Sequence, residues 1–146
     1  MFDGLFKQQQ RIGEIGEEAV LAYLSKRHKV EDVRLNKYYQ NIDIDFIVDG
    51  HTLEVKTDNN IAYTGNIYIE TYGGGWYEKS QAAYMGIYSP QSKKLYILDY
   101  PKLKSLLPSG REIKHYDKDT GLMVPAVLIP VAAALSSGVL TQTIQL

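Results

Sequence analysis

The stretch NIDIDFIVDGHTLEVKTD, residues 41–58, decides the fold that we predict for this chain. Apolar residues alternate with other residues over 42–48 and again over 51–57, which is typical of two strands that each bury one face. The Asp49-Gly50 pair between them is a strong signal for a two-residue turn. The sequence therefore predicts an antiparallel hairpin.

This turn also fixes which residues of the two strands face each other. The residue numbers of facing pairs sum to 99, so Asp45 lies opposite Glu54 and Asp43 lies opposite Lys56. Facing residues share one face of a sheet, and we expect all four side chains to project from it. Two opposed carboxylates repel each other, so this arrangement weakens a hairpin that has only a structural role.

A divalent cation reverses the sign of that interaction. Mg²⁺ prefers carboxylate oxygens, with waters and substrate phosphates completing its octahedron. Lys56, on the same face as Glu54, is placed to orient or deprotonate an attacking water or to neutralise charge on a phosphorane-like transition state. The hairpin thus has the parts for phosphodiester hydrolysis. The alternative interpretation is an exposed Asp43–Lys56 ion pair with Asp45 and Glu54 simply solvated.

The remaining chain reads as helices and strands of one domain, residues 1–146. An amphipathic helix over 12–28 is followed by a mixed sheet, which gives an α/β (α+β) class. A flexible turn is predicted at 73–76, and a short helix is predicted at each of 101–107 and 131–137. The other strands that we predict lie at 30–36, 66–71, 82–88, 94–99, 122–129 and 139–146.

Two of these strands have special features. Pro125 cannot donate a ladder hydrogen bond, so we expect 122–129 to be an edge strand or to contain a bulge. The C-terminal segment 139–146 could pair with a second chain.

Composition narrows the class of protein. The chain has 146 residues, 45% of them apolar, and its net charge of −1 does not advertise nucleic-acid binding by bulk charge. Cysteine is absent, which excludes thiolate metal sites. The first residues lack a signal-peptide pattern and no long apolar run occurs, so we expect a cytoplasmic protein without a membrane span.

The hairpin at 41–58 and the helix before it resemble the PD-(D/E)XK nuclease superfamily, which has the restriction-endonuclease-like fold. Glu54-Val55-Lys56 matches the acid-x-lysine half of its motif, and Asp45 matches the leading acid. The stretch GEIGEEAVLAYL, residues 13–24, resembles the N-terminal helix of the Holliday-junction-resolvase branch, with Glu17 as the matching glutamate. NIYIETYGGGWYEKSQAAYMGIYS, residues 66–89, is similar to the region after the motif in small phage and bacterial nucleases. Ile44 replaces the proline that names the motif.

The resemblance covers roughly residues 10–100 and implies a three-layer core with an N-terminal helix and a central mixed sheet. It implies a Mg²⁺-dependent DNA endonuclease, such as a junction resolvase or a phage DNA-processing nuclease, in which Mn²⁺ substitutes for Mg²⁺. Asp45, Glu54 and Glu17 would be the metal ligands, and these three with Lys56 would be catalytic. The duplicated acid leaves Asp43 as an alternative ligand.

Other residues and functions stay open. Lys79 and Gln81, just after the glycine-rich turn, are candidates for contact with the substrate backbone. Cleavage of both DNA strands usually requires two active sites, so a homodimer is expected. The alternative functions are a catalytically inactive DNA-binding or assembly protein of the same fold, and an unrelated protein-binding domain.

Overall fold

The computed structural model describes residues 2–71, 79–118 and 121–146, and the predicted turn at 73–76 lies outside them. The described chain is a mixed α+β structure with two sheets. Its elements are, in order, α1 (Phe2–Ser25), β1 (Val30–Asp32), α2 (Lys37–Asn41), β2 (Phe46–Val48), β3 (His51–Thr57), α3 (Ile61–Thr64), β4 (Asn66–Glu70), β5 (Tyr84–Ser89), β6 (Lys94–Asp99), α4 (Tyr100–Leu106), a 3-10 turn (Leu107–Ser109), β7 (Arg111–Asp117), β8 (Leu122–Pro130), α5 (Val131–Ser136) and β9 (Leu140–Gln145).

The larger sheet has six strands in the order β1-β2-β3-β5-β6-β9. All neighbouring pairs are antiparallel except β3 and β5, which are parallel. Parallel neighbours need a long crossover connection, and here the crossover contains α3 and β4. The central sheet is therefore mixed, as the sequence predicts.

The smaller sheet has three antiparallel strands in the order β4-β8-β7. It packs on one face of the larger sheet, where Met85 and Ile87 of β5 join Ile67 and Ile129 in one buried cluster. α1 packs on the opposite face and buries Val20 and Leu24 together with side chains of three strands, Phe46, Leu53, Val55 and Leu95. The layers are thus a helix, a mixed sheet and a second sheet with short helices at its margin.

The hairpin register is confirmed over the residues that form a ladder. Phe46 faces Leu53 and Val48 faces His51, as the two-residue turn at Asp49-Gly50 requires. The second strand spans 51–57, as predicted.

The first strand is shorter than predicted, because α2 occupies residues 37–41 and β2 begins only at Phe46. Asn36 caps α2 by accepting from the backbone N–H of Tyr38 and of Tyr39. Just after this helix Asp43 has a φ of 50°, a left-handed conformation that turns the chain toward β2. The alternation over 42–48 is therefore a wrong prediction for its first half, and Ile44 and Phe46 belong to different buried clusters.

The predicted helix over 12–28 is displaced toward the N-terminus. α1 begins at Phe2 and ends at Ser25, so the basic residues 26–28 lie beyond it. Ile15, which the helical spacing predicts to be buried, is exposed. Among the helices described here, none is long and apolar enough to cross a membrane.

The C-terminal half differs from the prediction at three places. β8 contains Pro125 but is the central strand of its sheet; β4 ends at Glu70, opposite Ala126, so at Pro125 only β7 forms a regular ladder. β7 over Arg111–Asp117 was not predicted. The C-terminal strand β9 pairs with β6 of its own chain, rather than needing a second chain.

Candidate active site

The structure brings the predicted hairpin residues together at the C-terminal half of β3. Leu53 and Val55 point toward α1, so Glu54 and Lys56 point to the opposite face, which carries the second sheet. The negative charge of Asp43 raises the pKa of both Asp45 and Glu54, and the charge of Lys56 lowers both. The four groups therefore form one electrostatically coupled cluster.

Glu54 is the most deeply buried acid of the cluster, with 2% of its surface exposed. Burial raises the pKa of Glu54 to about 7, and nearby Lys56 and Ser80 partly offset this shift. Lys56 Nζ lies 3.2 Å from Glu54 Oε1. Glu54 Oε2 is buried and makes no hydrogen bond of regular geometry with the residues described, although the hydroxyls of Ser80 and Tyr100 lie close enough to interact with this carboxylate. A charged carboxylate in this buried place is costly, so the acid is stabilised either by a proton, which its raised pKa favours, or by a bound cation.

Asp45 is held against β3 just before β2 begins. Its backbone N–H donates to the carbonyl of Leu53 at 3.0 Å, and its Oδ2 accepts from the backbone N–H of Val55 at 2.8 Å. These two bonds hold Asp45 against β3 at the residues on either side of Glu54. The regular ladder begins only at Phe46, so the predicted pairing of Asp45 with Glu54 lies outside it. Burial raises the pKa of Asp45, while the bond from Val55 and the charges of Lys56 and Arg34 oppose the shift.

Glu17 enters the cluster from α1. Burial raises the pKa of Glu17 to about 7, the charge of Asp45 adds to this shift, and Arg34 and Lys56 oppose it. The close approach depends on Gly16, because a Cβ atom there would collide with Oγ1 of Thr57, the residue after Lys56. Gly16 thus allows α1 to pack closely enough on β3 for Glu17 to interact with Asp45.

Asp43 belongs to the cluster but not by the predicted pairing. Its left-handed backbone lies outside the β2 ladder, so it does not face Lys56 across the hairpin. Its carboxylate lies 3.6 Å from Nζ of Lys79. The prediction of an Asp43–Lys56 cross-strand pair is therefore wrong, because α2 and its turn replace the strand at this point.

Lys79 and Gln81, the predicted substrate contacts, are both exposed beside this cluster. Lys79 forms the ion pair with Asp43, while the backbone N–H of Gln81 donates to the carbonyl of Ile42. Both residues are exposed, and Lys79 is next to one of the acids, Asp43.

Sequence reasoning missed three residues that surround the acids. Arg34 forms ion pairs with three acids. Its Nη1 lies 3.5 Å from Oε2 of Glu17, and its Nη2 lies 2.6 Å from Oε1 of Glu18 and 2.7 Å from Oδ2 of Asp32. A cation at the end of a predicted strand carries no signal that it will reach back to a helix.

The other two missed residues, Ser80 and Tyr100, lie next to Glu54. The Ser80 hydroxyl donates to the carbonyl of Asp43 at 3.1 Å, and its own carbonyl accepts from Lys104 Nζ at 2.8 Å. The pKa of Tyr100 is raised by burial first and by the negative charge of Glu54 second. Ser80 lies in the crossover before β5, and Tyr100 directly follows β6. The sequence does not show how these segments pack against β3.

The donor set fits a hard divalent cation in part. No group of three or more His, Asp or Glu side chains forms a complete cage in the part of the chain that is described. Mg²⁺, however, usually takes only one or two carboxylates and keeps several waters. Asp45 and Glu54 are the two hairpin carboxylates, Oε2 of Glu54 makes no hydrogen bond of regular geometry with the described groups, and the charge of Asp45 acts on Glu17.

Comparison with known proteins gave no match: no family model, no curated protein and no solved structure is significantly similar to this chain.

Proposed function

We propose that this protein is a Mg²⁺-dependent DNA endonuclease that hydrolyses phosphodiester bonds, built on a restriction-endonuclease-like core. The observation that carries the proposal is the state of Glu54. One of its oxygens lies 3.2 Å from Lys56 Nζ, and the other is buried without a hydrogen bond of regular geometry to the described residues. Buried acids next to a lysine cost folding stability, and such clusters are typical of functional sites. This arrangement is therefore better explained by the binding of a cation and a phosphate than by a structural role.

The proposed roles follow from where each group lies. Asp45 and Glu54 hold the cation, and Glu17 completes its surroundings from α1. When bound, the cation polarises the phosphate and lowers the pKa of water. Lys56 is 41% exposed at its side chain, so it faces both the buried acid and the surface from which substrate arrives. Its ammonium orients the attacking water and stabilises charge on the phosphate.

Arg34 has a positioning role in this proposal. Its ion pairs with Glu17 and Glu18 join α1 to the segment that follows β1. The same guanidinium lies 5.2 Å from the ring of Phe46 at the start of β2. Arg34 thus fixes Glu17 relative to the hairpin that carries Asp45.

The direct test is incubation of the purified protein with plasmid, single-stranded and four-way-junction DNA in Mg²⁺. We expect cleavage of at least one substrate and loss of cleavage when EDTA removes the cation. Lys56→Ala should reduce the rate at least about 100-fold, the scale of general acid–base and electrostatic contributions, while Mn²⁺ binding is retained.

The matched control for this test is Lys102→Ala, which removes an exposed lysine from α4. It should cleave like the wild type. Absence of both cleavage and Mn²⁺ binding in the wild type would contradict the proposed function. Full cleavage by Lys56→Ala would refute the role of the lysine alone.

A further inference from the structure

A cleft of about 760 Å³ opens beside Lys56, between the end of β3 and the strand β4. Its volume lies within the range of about 300–1,000 Å³ that small-ligand pockets occupy. Apolar side chains form part of its wall, including Ile69, Met85 and Ile87. The segment that follows β3 and the residues of β4 supply the polar part. The cleft therefore combines an apolar wall with a few polar groups, as binding pockets do.

Charge is distributed unevenly along this cleft. Lys56 provides positive charge at the site, while the charged side chains that line the rest, among the described residues, are Asp58 and Glu70. Oδ1 of Asp58 is already engaged by the backbone N–H groups of Asn60 and Ile61. A phosphate is thus attracted to Lys56 and repelled by the two acids that line the rest of the cleft. That part of the cleft therefore favours a neutral group.

The polar groups along the cleft suit a nucleobase. Tyr68 offers an aromatic ring, and base–aromatic stacking tolerates every base. Asn60 and Asn66 carry amides that both donate and accept hydrogen bonds, and Glu70 accepts from exocyclic amino groups. These are the groups by which proteins hold unstacked bases on their hydrogen-bonding edges.

We propose that this cleft receives the base of an unpaired nucleotide whose phosphate lies at Lys56, so that the substrate class is single-stranded DNA. The inference rests on the proposed function, which places the scissile phosphate at Lys56. In a duplex the base is stacked and paired, and it cannot enter the cleft unless it is extruded.

The test is binding of the full chain to a fluorescein-labelled single-stranded 12-mer and to its duplex, measured by fluorescence anisotropy at one salt concentration. Ca²⁺ is present to offset the carboxylates, and gel analysis verifies that the probes stay intact. We expect at least about tenfold tighter binding of the single strand. Equal affinity for the two probes, or no measurable binding of the single strand, would overturn the inference.

Variants locate that binding in the cleft. Tyr68→Ala should weaken single-strand binding about tenfold, with little change for the duplex, because it removes the stacking ring. Tyr68→Phe should retain the wild-type preference. Tyr116→Ala, which removes an exposed tyrosine on β7 at the other edge of the small sheet, is the matched control and should bind normally.

Thermal melting establishes that each variant is folded. If Tyr68→Ala does not fold, Asn66→Ala carries the test and should weaken single-strand binding several-fold. An unchanged affinity in the folded cleft variants would overturn the assignment. Selective single-strand binding without cleavage of any DNA would remove the proposed function but retain the cleft as a single-strand site. Cleavage of duplex DNA with equal binding of both probes would support the proposed function and overturn the assignment of the cleft as a single-strand site.

Discussion

At the scale of residues, Asp43 and Asp45 have the same side chain but different surroundings. Asp45 is fixed against β3 by the backbone N–H of Val55, next to Glu54. Asp43 follows α2 in a left-handed conformation and is neutralised in part by Lys79. Because Asp45 is anchored to β3 and its charge acts on Glu17 of α1, it is the stronger candidate for a cation ligand.

Paired substitutions separate the two aspartates. Asp45→Asn removes the anchored carboxylate and should lower Mn²⁺ affinity and cleavage at least about 100-fold, since a ligand is lost. Asp43→Asn keeps a residue that tolerates the left-handed conformation and should lower both less than about tenfold. Isothermal titration with Mn²⁺ and a cleavage assay measure the two effects. The reverse order would identify Asp43 as the ligand.

Glu54 makes the stability of the metal-free protein depend on pH. Its pKa is about 7 in the folded chain against 4.5 for an unperturbed glutamate. Between these values the folded state binds more protons than the unfolded state, so the free energy of unfolding falls as pH rises. The stabilisation is fully present below about pH 4.5 and is lost through pH 7.

We therefore expect the metal-free protein to have a lower Tm at pH 8 than at pH 5.5, because Glu54 must ionise in a buried place. The part due to Glu54 is on the order of 2 kcal/mol between these pH values, since one pKa unit corresponds to about 1.4 kcal/mol, and Glu17, whose pKa is also raised to about 7, adds to the loss. Glu54→Gln stays neutral and should make this dependence less steep, with the part due to Glu17 remaining, whereas Glu14→Gln, an exposed change on α1, should leave it unchanged. Calorimetry from pH 5 to 8 in EDTA checks this. A similar slope in wild type and Glu54→Gln would show that other groups dominate.

At the scale of elements, the contact between α1 and β3 carries Glu17 to the site. Gly16 provides it, because the helix backbone lies directly over the side chain of Thr57. Gly13, three residues earlier in the same helix, has open space where its Cβ would be. Both glycines lower the helix propensity of α1, but only Gly16 is required by a close contact with another element.

Gly16→Ala should destabilise the protein by about 1–3 kcal/mol by overpacking and should reduce cleavage, because α1 must move away with Glu17. Gly13→Ala should instead stabilise it by about 0.5–1 kcal/mol, since alanine favours a helix. Denaturant unfolding measures both changes. The double variant Gly16→Ala/Thr57→Ala should recover part of the loss. Equal effects of the two single substitutions would contradict the contact.

At the scale of the whole molecule, the larger sheet ends in two unlike strands among those described. β1 has three residues and exposes Glu31 and Asp32, and charge on a short strand discourages edge pairing. β9 has six residues, LTQTIQ, without a charged side chain. The expected homodimer is therefore best placed at β9, where two copies would continue one sheet.

Analytical ultracentrifugation at 10–100 µM, a range chosen for weak dimers of roughly micromolar affinity, tests this arrangement. We expect a dimer for the wild type and a monomer for Thr143→Lys, which places a charge in the middle of the β9 edge. Thr64→Lys, on α3 and away from this edge, is the control and should remain dimeric. A monomeric wild type at all concentrations would show that the homodimer expectation is wrong.

Local signals predicted part of the fold and of the site. The Asp49-Gly50 turn and the alternation over 51–57 gave the span of β3 and its register with Phe46–Val48, because both depend on neighbouring residues. The same reasoning failed over 42–45, where the Asn36 cap and the left-handed Asp43 favour a helix and a turn. Alternation in four residues was too short to compete with those contacts.

The sequence by itself determined that an acid-x-lysine triplet ends a buried strand and that Val48 faces His51 across the turn, since turn chemistry and a period of two are local properties. Only the tertiary structure decided that Arg34, Ser80 and Tyr100 surround these acids and that a cleft opens next to Lys56. Those contacts join segments far apart in the chain, and their free energy depends on packing and desolvation that no local pattern records.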